Sequence, residues 1–511
     1  MEDLNLGMFK SYDIRTKESK LDFQMKKRLV SAVVRYYGEV LKVKSVVICR
    51  DARLHVPELA ELLRTGMNNA GMDVLINPLP VSTCQFYFTC MKNRGCGAVM
   101  LTASHNPMEY VGMKLMAPQV LPLAYGYGPE GGIEKIKSFY LENKPAIYSK
   151  VKGRTIVINE LENYIDYSME LAGVTPGSLS GLKVMFEFLN GSAGTEEMLA
   201  FQKAGADVTA CNLVPDGFFP NGDPNPIIET SIAPARKFMQ EGDFDLGFCF
   251  DGDGDRMDLM DRNGNQIVPG LNMAILMPNL VSIYGGEKKE FYADVKAVPT
   301  SLVEIAKAGV NIHIIRNGHS FIKAKLRDNC DKGYFASEEE SAHYYVNLPF
   351  DSKDFSKGFA AVESTLFFAL LTARSFKQKP EAYDRAMEIQ ERTERVKEWP
   401  LYCDGAPEKM PEILEKIEKR MVELGASVTK DMDDGSDLDA TLLRFNLPRD
   451  IDADTDLENT RWSQVALRIS RSEDAMARFE VVSNCKEDCL RFNDEIVKIT
   501  DIYVKSGAAR Y

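Results

Sequence analysis

The sequence predicts an α/β protein: three similar α/β domains with mixed sheets, followed by a smaller C-terminal α+β domain. Three observations carry this reading. A strand–helix–strand unit recurs three times, each time with the helix ending on Ala-Gly. Strand, helix and strand at that spacing imply βαβ crossovers and a largely parallel or mixed sheet. Beyond about Pro400 the pattern changes to short alternating segments, which suits a smaller α+β domain.

The first copy has a buried strand at residues 45–49 (Ser-Val-Val-Ile-Cys). A helix starts near Pro57 and ends at Ala70-Gly71, and a second strand covers 73–76. In the second copy a strand at 182–188 leads to a helix ending at Ala204-Gly205, and Asp207-Val208 opens the next strand. The third copy has a strand at 291–295, a helix ending at Ala308-Gly309 and a strand at 311–315. Each glycine fits the left-handed position that closes a helix. Two apolar runs, 246–250 and 257–260, flank an acidic loop, and Asp261-Arg-Asn-Gly264 reads as a turn. The charged stretch 378–398 reads as a helix or a covering segment. The runs 440–445 and 466–470 read as strands of the last domain. The domain boundaries expected from this are 1–160, 161–265, 266–377 and 378–511.

A chain of 511 residues suggests three to five domains, and 45% hydrophobic with 27% charged residues is ordinary for a protein with full cores. The net charge of −13, from 62 basic and 75 acidic residues, argues against a nucleic-acid or anionic-membrane partner. No apolar run reaches about 18 residues and no signal-peptide pattern is seen, so a cytoplasmic protein is expected. Ten scattered cysteines with no Cys-x-x-Cys pair read as buried or idle thiols.

Two segments carry chemistry. Thr102-Ala-Ser-His-Asn-Pro107 offers a single hydroxyl, Ser104, on a loop. Phe250-Asp-Gly-Asp-Gly-Asp-Arg256 offers three carboxylates, Asp251, Asp253 and Asp255, separated by glycines. A hydroxyl that passes on a phosphoryl group needs a hard divalent cation against the developing charge, and carboxylate oxygens suit Mg²⁺. The EF-hand pattern fails, because its Gly and Glu positions hold Arg256 and Arg262. A haloacid-dehalogenase-type phosphatase also places Asp-x-Asp after a strand, but it usually has Thr or Val where Asp255 stands.

With these segments in place, the chain resembles the α-D-phosphohexomutase superfamily, nearest the bacterial phosphomannomutase/phosphoglucomutase branch. The other motifs follow in family order. They are Tyr12-Asp-Ile-Arg15, Cys49-Arg-Asp-Ala-Arg53, His105-Asn-Pro-Met-Glu-Tyr-Val-Gly-Met-Lys114, Asp294-Val-Lys296, Asn317-Gly-His-Ser320, Glu339-Glu-Ser-Ala-His343 and Arg468-Ile-Ser-Arg-Ser-Glu473. The chain departs from the family pattern at Thr16, Val111, Ala342, Arg471 and Asp474.

The resemblance implies an intramolecular phosphotransferase that interconverts hexose 1-phosphate and hexose 6-phosphate, with mannose, glucose or both as the sugar. It implies a phosphoserine at Ser104 and a hexose 1,6-bisphosphate intermediate that also serves as activator. One Mg²⁺ would be held by Ser104, Asp251, Asp253 and Asp255. Lys114, Arg15, His319 and His343 become candidates for moving the proton, and His105 would shape the serine loop. Tyr12, Arg256 and Lys296 would contact the substrate. Glu339 and Ser341 would read sugar hydroxyls, and Arg468, Ser470 and Ser472 would bind the non-reacting phosphate. The expected partner is a small sugar phosphate, with the protein a monomer or small homo-oligomer. Phosphoglucosamine mutase and a sugar-phosphate phosphatase stand as alternatives.

Overall fold

Short apolar runs punctuated by helix-closing glycines produce the predicted layers in a computed structural model, which describes residues 4–286, 288–470 and 475–511. The chain divides into two units. One comprises Met1–Gln266, Lys323–Asp328 and Ser341–Gln378; the other comprises Ile267–Ile322, Asn329–Glu340 and Lys379–Tyr511.

In the first unit, Ser45–Arg50 pairs in parallel with Asp73–Pro80 and with Gly97–Leu101. Tyr110–Ala117 then runs antiparallel to Gly97–Leu101 and to Ile14–Lys17, which makes the sheet mixed. The helix Val56–Asn69 crosses between the first two strands, and Gly71 beyond it has φ 87°, the left-handed closure expected there. A second sheet holds Lys183–Glu187 parallel to Asp207–Cys211 and to Leu246–Phe250. Met257–Met260 turns back antiparallel to Leu246–Phe250, so the acidic loop is the tight connection between two buried strands. Phe186, Phe188 and Phe250 stack beneath it, with the Phe188 and Phe250 ring centroids 5.3 Å apart. An antiparallel pair, His343–Pro349 with Phe359–Glu363, also belongs to this unit.

In the second unit, Glu290–Asp294 is parallel to Asn311–Ile315 and to Tyr334–Glu339. The C-terminal sheet is wholly antiparallel, in the order Glu394–Tyr402, Met476–Ser483, Ser463–Ile469, Asp437–Phe445 and Ser427–Asp431. The helices Met410–Glu423 and Lys486–Lys505 bury Ile413, Ile417, Phe492 and Ile496 against it. This is the α+β domain expected.

One element differs from expectation. The stretch 378–398 is not a single helix: Glu381–Glu391 is helical, and Glu394–Tyr402 is a strand. That strand lies at the sheet edge, where Pro400 costs no ladder bond, and its half-buried residues hide the usual alternation. The four-domain partition at 160, 265 and 377 remains our proposal. Among the described residues, no helix is long and apolar enough to cross a membrane.

Candidate active site

Ser104 stands just past the strand Gly97–Leu101, in a loop whose backbone is tightly held. Its φ of 52° lies in the left-handed region, which non-glycine residues seldom adopt. Thr102 Oγ1 accepts from the Ser104 amide at 2.8 Å. The guanidinium of Arg53, fully buried, donates to the carbonyls of Ser104 at 2.6 Å, Asn106 at 2.5 Å and Pro107 at 2.7 Å. Arg53 is itself held by Asp51, Nε to Oδ2 at 3.1 Å. His105 Nδ1 lies 3.1 Å from the Ser104 hydroxyl. Burial, with Arg256 and Arg15 adding to it, pushes the His105 imidazolium well below its ordinary range, so the ring is neutral.

The three aspartates converge on this hydroxyl. Ser104 Oγ donates to Asp251 Oδ2 at 3.4 Å. A side chain at Gly252 would place a Cβ 2.9 Å from the Ser104 carbonyl, so the close approach of the two loops needs glycine there. All three carboxylates are buried. Asp251 Oδ1 accepts from the amides of Asp255 and Arg256, at 3.1 and 3.2 Å. Thr83, in the first turn of the helix Thr83–Lys92, donates to Asp253 Oδ2 at 2.6 Å. Lys114 Nζ donates to Asp253 at 2.8 Å and to Asp255 at 2.5 Å.

The charges do not balance. Burial and the neighbouring Asp253 and Asp255 push the Asp251 carboxyl well above its ordinary range. Burial opposes ionisation of Asp255 as well, but Lys114 outweighs it and keeps that group ionised. Asp253 Oδ1 and Asp255 Oδ1 are buried without a hydrogen-bond partner. Orphaned anionic oxygens in a buried site are costly, and a hard divalent cation is what such a donor set accepts. The Asp251, Asp253 and Asp255 ligand atoms lie within 4.8 Å of one another, so the loop fits an ion. Asp255, His343 and Glu363 form a second close group, but Lys323 already engages both Glu363 oxygens, at 3.2 and 2.9 Å.

Of the proton-moving candidates, the structure brings Lys114, Arg15 and His343 to this loop. Arg15 donates to Asn106 Oδ1 at 2.5 Å and pairs with Asp13; burial is outweighed there, and the guanidinium stays charged. His343 Nε2 accepts from Arg256 Nε at 3.0 Å, and its Nδ1 stands 3.7 Å from Asp255 Oδ1. Burial, then Arg256 and Lys114, holds His343 neutral. Arg256 also lies 3.7 Å from Asp251, so it braces the loop. Tyr12 and Ser341, both half-buried, belong to the same unit.

Lys296, His319, Glu339, Arg468 and Ser470 belong to the second unit. Glu339 is buried and accepts from Asn317 Nδ2 and from the Gly318 amide. Its neighbour Glu338 is fully buried too. His319 opens the helix His319–Asp328, its Nδ1 3.4 Å from the Ser320 hydroxyl. Ser470 is buried, and its amide donates to the Met476 carbonyl at 2.8 Å. Arg468 does not present an open fork: Nε and Nη2 donate to Glu398 at 2.6 and 2.9 Å. Ser472 lies outside the described residues.

Sequence reasoning assigned no role to Arg53, Lys323, Glu363 or Glu398. Only Arg53 had a signal, since it closes the Cys49–Arg53 motif.

Two family models match the chain: phosphoglucomutase/phosphomannomutase α/β/α domain I over residues 7–126, and domain II over 162–264. A phosphomannomutase of Salmonella montevideo is 30% identical over 351 residues, covering 68% of this chain and 74% of that protein. The chain belongs to the α-D-phosphohexomutase superfamily. As a phosphohexomutase it is an isomerase of the mutase type. A Xanthomonas campestris protein named phosphohexose mutases is 27% identical over 450 residues, covering 87% of this chain and 92% of its own length. A phosphoglucomutase/phosphomannomutase family protein from Burkholderia thailandensis shares the fold, with a TM-score of 0.76 at 21% identity over 97% of both chains.

Proposed function

We propose that this phosphohexomutase interconverts hexose 1-phosphate and hexose 6-phosphate, taking mannose, glucose or both. It does so through a phosphoserine at Ser104 and a hexose 1,6-bisphosphate intermediate. The observation that carries this reading is the Ser104 hydroxyl 3.4 Å from Asp251, beside two aspartates with orphaned buried oxygens.

Phospho-Ser104 would donate its group to the free hydroxyl of the sugar phosphate. The Oγ–P bond breaks, a P–O bond to the sugar forms, and the hydroxyl proton leaves to a base. The intermediate then presents its other phosphate to Ser104, and the reverse transfer regenerates phosphoserine. Mg²⁺ on Asp251, Asp253 and Asp255, with Ser104 as the fourth ligand, would offset the charge on the transferring group. Arg53 fixes the serine backbone, so the nucleophile is positioned before substrate arrives. Lys114 is the proton acceptor we favour. Burial pulls its ammonium down, but Asp253, Asp255 and Glu363 outweigh it, and a cation that shared the two aspartates would weaken that hold.

Glu339 is proposed to read sugar hydroxyls, and Lys296, Arg468, Ser470 and Ser472 to bind the substrate's non-reacting phosphate. Tyr12, Arg256 and Ser341 are proposed as further substrate contacts. A bisphosphate activator follows from the scheme, since an enzyme that has lost its phosphoserine must be recharged. Relatives named phosphomannomutase favour mannose phosphates; phosphoglucosamine mutase remains the alternative. The test is coupled turnover of mannose, glucose and glucosamine 1-phosphates with Mg²⁺ and a trace of the matching bisphosphate. Turnover of the first two supports the reading. Release of inorganic phosphate without product would show a phosphatase instead.

A further inference from the structure

The fork of Arg468 is filled by the protein itself. Glu398, on the edge strand Glu394–Tyr402, takes Nε at 2.6 Å and Nη2 at 2.9 Å, a bidentate pair. Arg478 Nη1 donates to the same carboxylate at 3.3 Å, and Lys296 Nζ lies 3.9 Å from it. Three cations thus converge on one carboxylate from three strand ends and loops. Burial opposes ionisation of Glu398, but Lys296, Arg468 and Arg478 outweigh it. The remaining nitrogen, Arg468 Nη1, donates to Asn317 Oδ1 at 3.2 Å, and Asn317 Nδ2 donates in turn to Glu339.

Carboxylate and phosphate offer a guanidinium the same planar pair of oxygens. We propose that Glu398 is an internal stand-in for the substrate's phosphate: it keeps Arg468, Arg478 and Lys296 converged, and an incoming phosphate must displace it to take the fork. The inference rests on the reading of Arg468 and Lys296 as phosphate ligands. It adds a selectivity device. Inorganic phosphate brings only an anion to compete with Glu398. A sugar phosphate also brings hydroxyls for Glu339, which shares Asn317 with Arg468, so binding at one end loosens the grip at the other. Glu398 therefore weakens free phosphate more than it weakens substrate.

The test titrates inorganic phosphate into the full-length protein by calorimetry, for wild type, Glu398→Gln, Glu398→Asp and Glu398→Gln/Arg468→Gln. Glu398→Gln keeps the shape and removes the competing charge. It is expected to bind phosphate at least tenfold tighter than wild type and to gain more thermal protection from it. Glu398→Asp retains the charge, and its affinity is expected within threefold of wild type. The double variant should lose the gain. Unchanged or weaker phosphate binding in Glu398→Gln would make Glu398 a brace and overturn the inference. A gain that survives in the double variant would place the phosphate elsewhere and overturn it too. Should Glu398→Gln fail to fold, Glu398→Asp decides: a tenfold change in either direction overturns the proposal. Failure of the underlying reading looks different, as near-wild-type kcat/KM in Arg468→Gln for both sugar phosphates.

Discussion

The aspartate loop of the first unit and the arginine cluster of the second are opposite in sign and alike in plan. In the first, three carboxylates meet two cations: Lys114 takes Asp253 and Asp255, and Arg256 stands 3.7 Å from Asp251. In the second, three cations gather around one carboxylate, Glu398. Burying an unmatched ion costs several kcal/mol even after relaxation, so a fold tolerates such a surplus only where something completes it. The sign of the surplus then names the ligand: a cation in one place, an anion in the other. In both, a single side chain sits where the ligand's charge is expected.

The largest effect should come from the hydroxyl beside the acidic cluster. Ser104→Ala is expected to lower kcat by at least about 10³-fold, because the covalent step disappears with its nucleophile. Peptide mass spectra of the wild type should place one phosphate on Ser104. Near-normal turnover in the variant would detach the aspartate loop from phosphoryl transfer and break the comparison.

Removing the cation tests the acidic half alone. EDTA should abolish turnover, and Mg²⁺ should restore it. Mg²⁺ at a hundredfold excess over its Kd should also stabilise the protein by about 2.7 kcal/mol, visible as a rise in Tm. Asp253→Asn should blunt that rise. A metal-stripped protein with full activity would mean that Lys114 and Arg256 suffice to balance the loop.

The basic half is tested with Arg468→Ala. Hydrogen bonds involving charge contribute roughly 1.5–3 kcal/mol each. Losing the fork is therefore expected to lower kcat/KM at least about tenfold for glucose 1-phosphate and mannose 1-phosphate alike. A loss confined to one sugar would make Arg468 a reader of sugar identity.

What was legible in the sequence was local. Ser104, the alternating aspartates and Glu339 stand inside short motifs, and the βαβ units announce themselves through glycines and strand runs. What was not legible depends on distant pairings. Arg53 grips the serine loop from beyond the end of the neighbouring strand, and its four carbonyl acceptors leave no trace in side-chain pattern. Lys323 pairs with Glu363 and Tyr87, both far along the chain. Glu398 was hidden by its own strand, whose half-buried edge position lacks the alternation that identifies strands.

A third buried cluster sharpens the rule by solving its charge another way. Glu196 and Glu197, in the first turn of Gly194–Lys203, are both buried side by side. Burial pushes the Glu196 carboxyl from 4.5 up to about 7, and burial with Glu196 beside it pushes Glu197 well above its ordinary range. Here the surplus is removed by protonation rather than by a ligand. The folded state then binds protons that the unfolded state has released. The stability this contributes is present below pH 4.5 and is lost as pH rises to about 7. One pKa unit corresponds to about 1.4 kcal/mol, so the loss from Glu196 is roughly 3 kcal/mol at most. Glu196→Gln keeps the shape without the titration. Its Tm relative to wild type should climb by a few degrees between pH 5 and 8, with turnover at neutral pH changed less than twofold. A Tm difference that stays flat across that range would mean the pair is ionised in the fold. Buried acidic surplus would then require no ligand at all, and the inference of a cation from the aspartate loop would lose its physical footing.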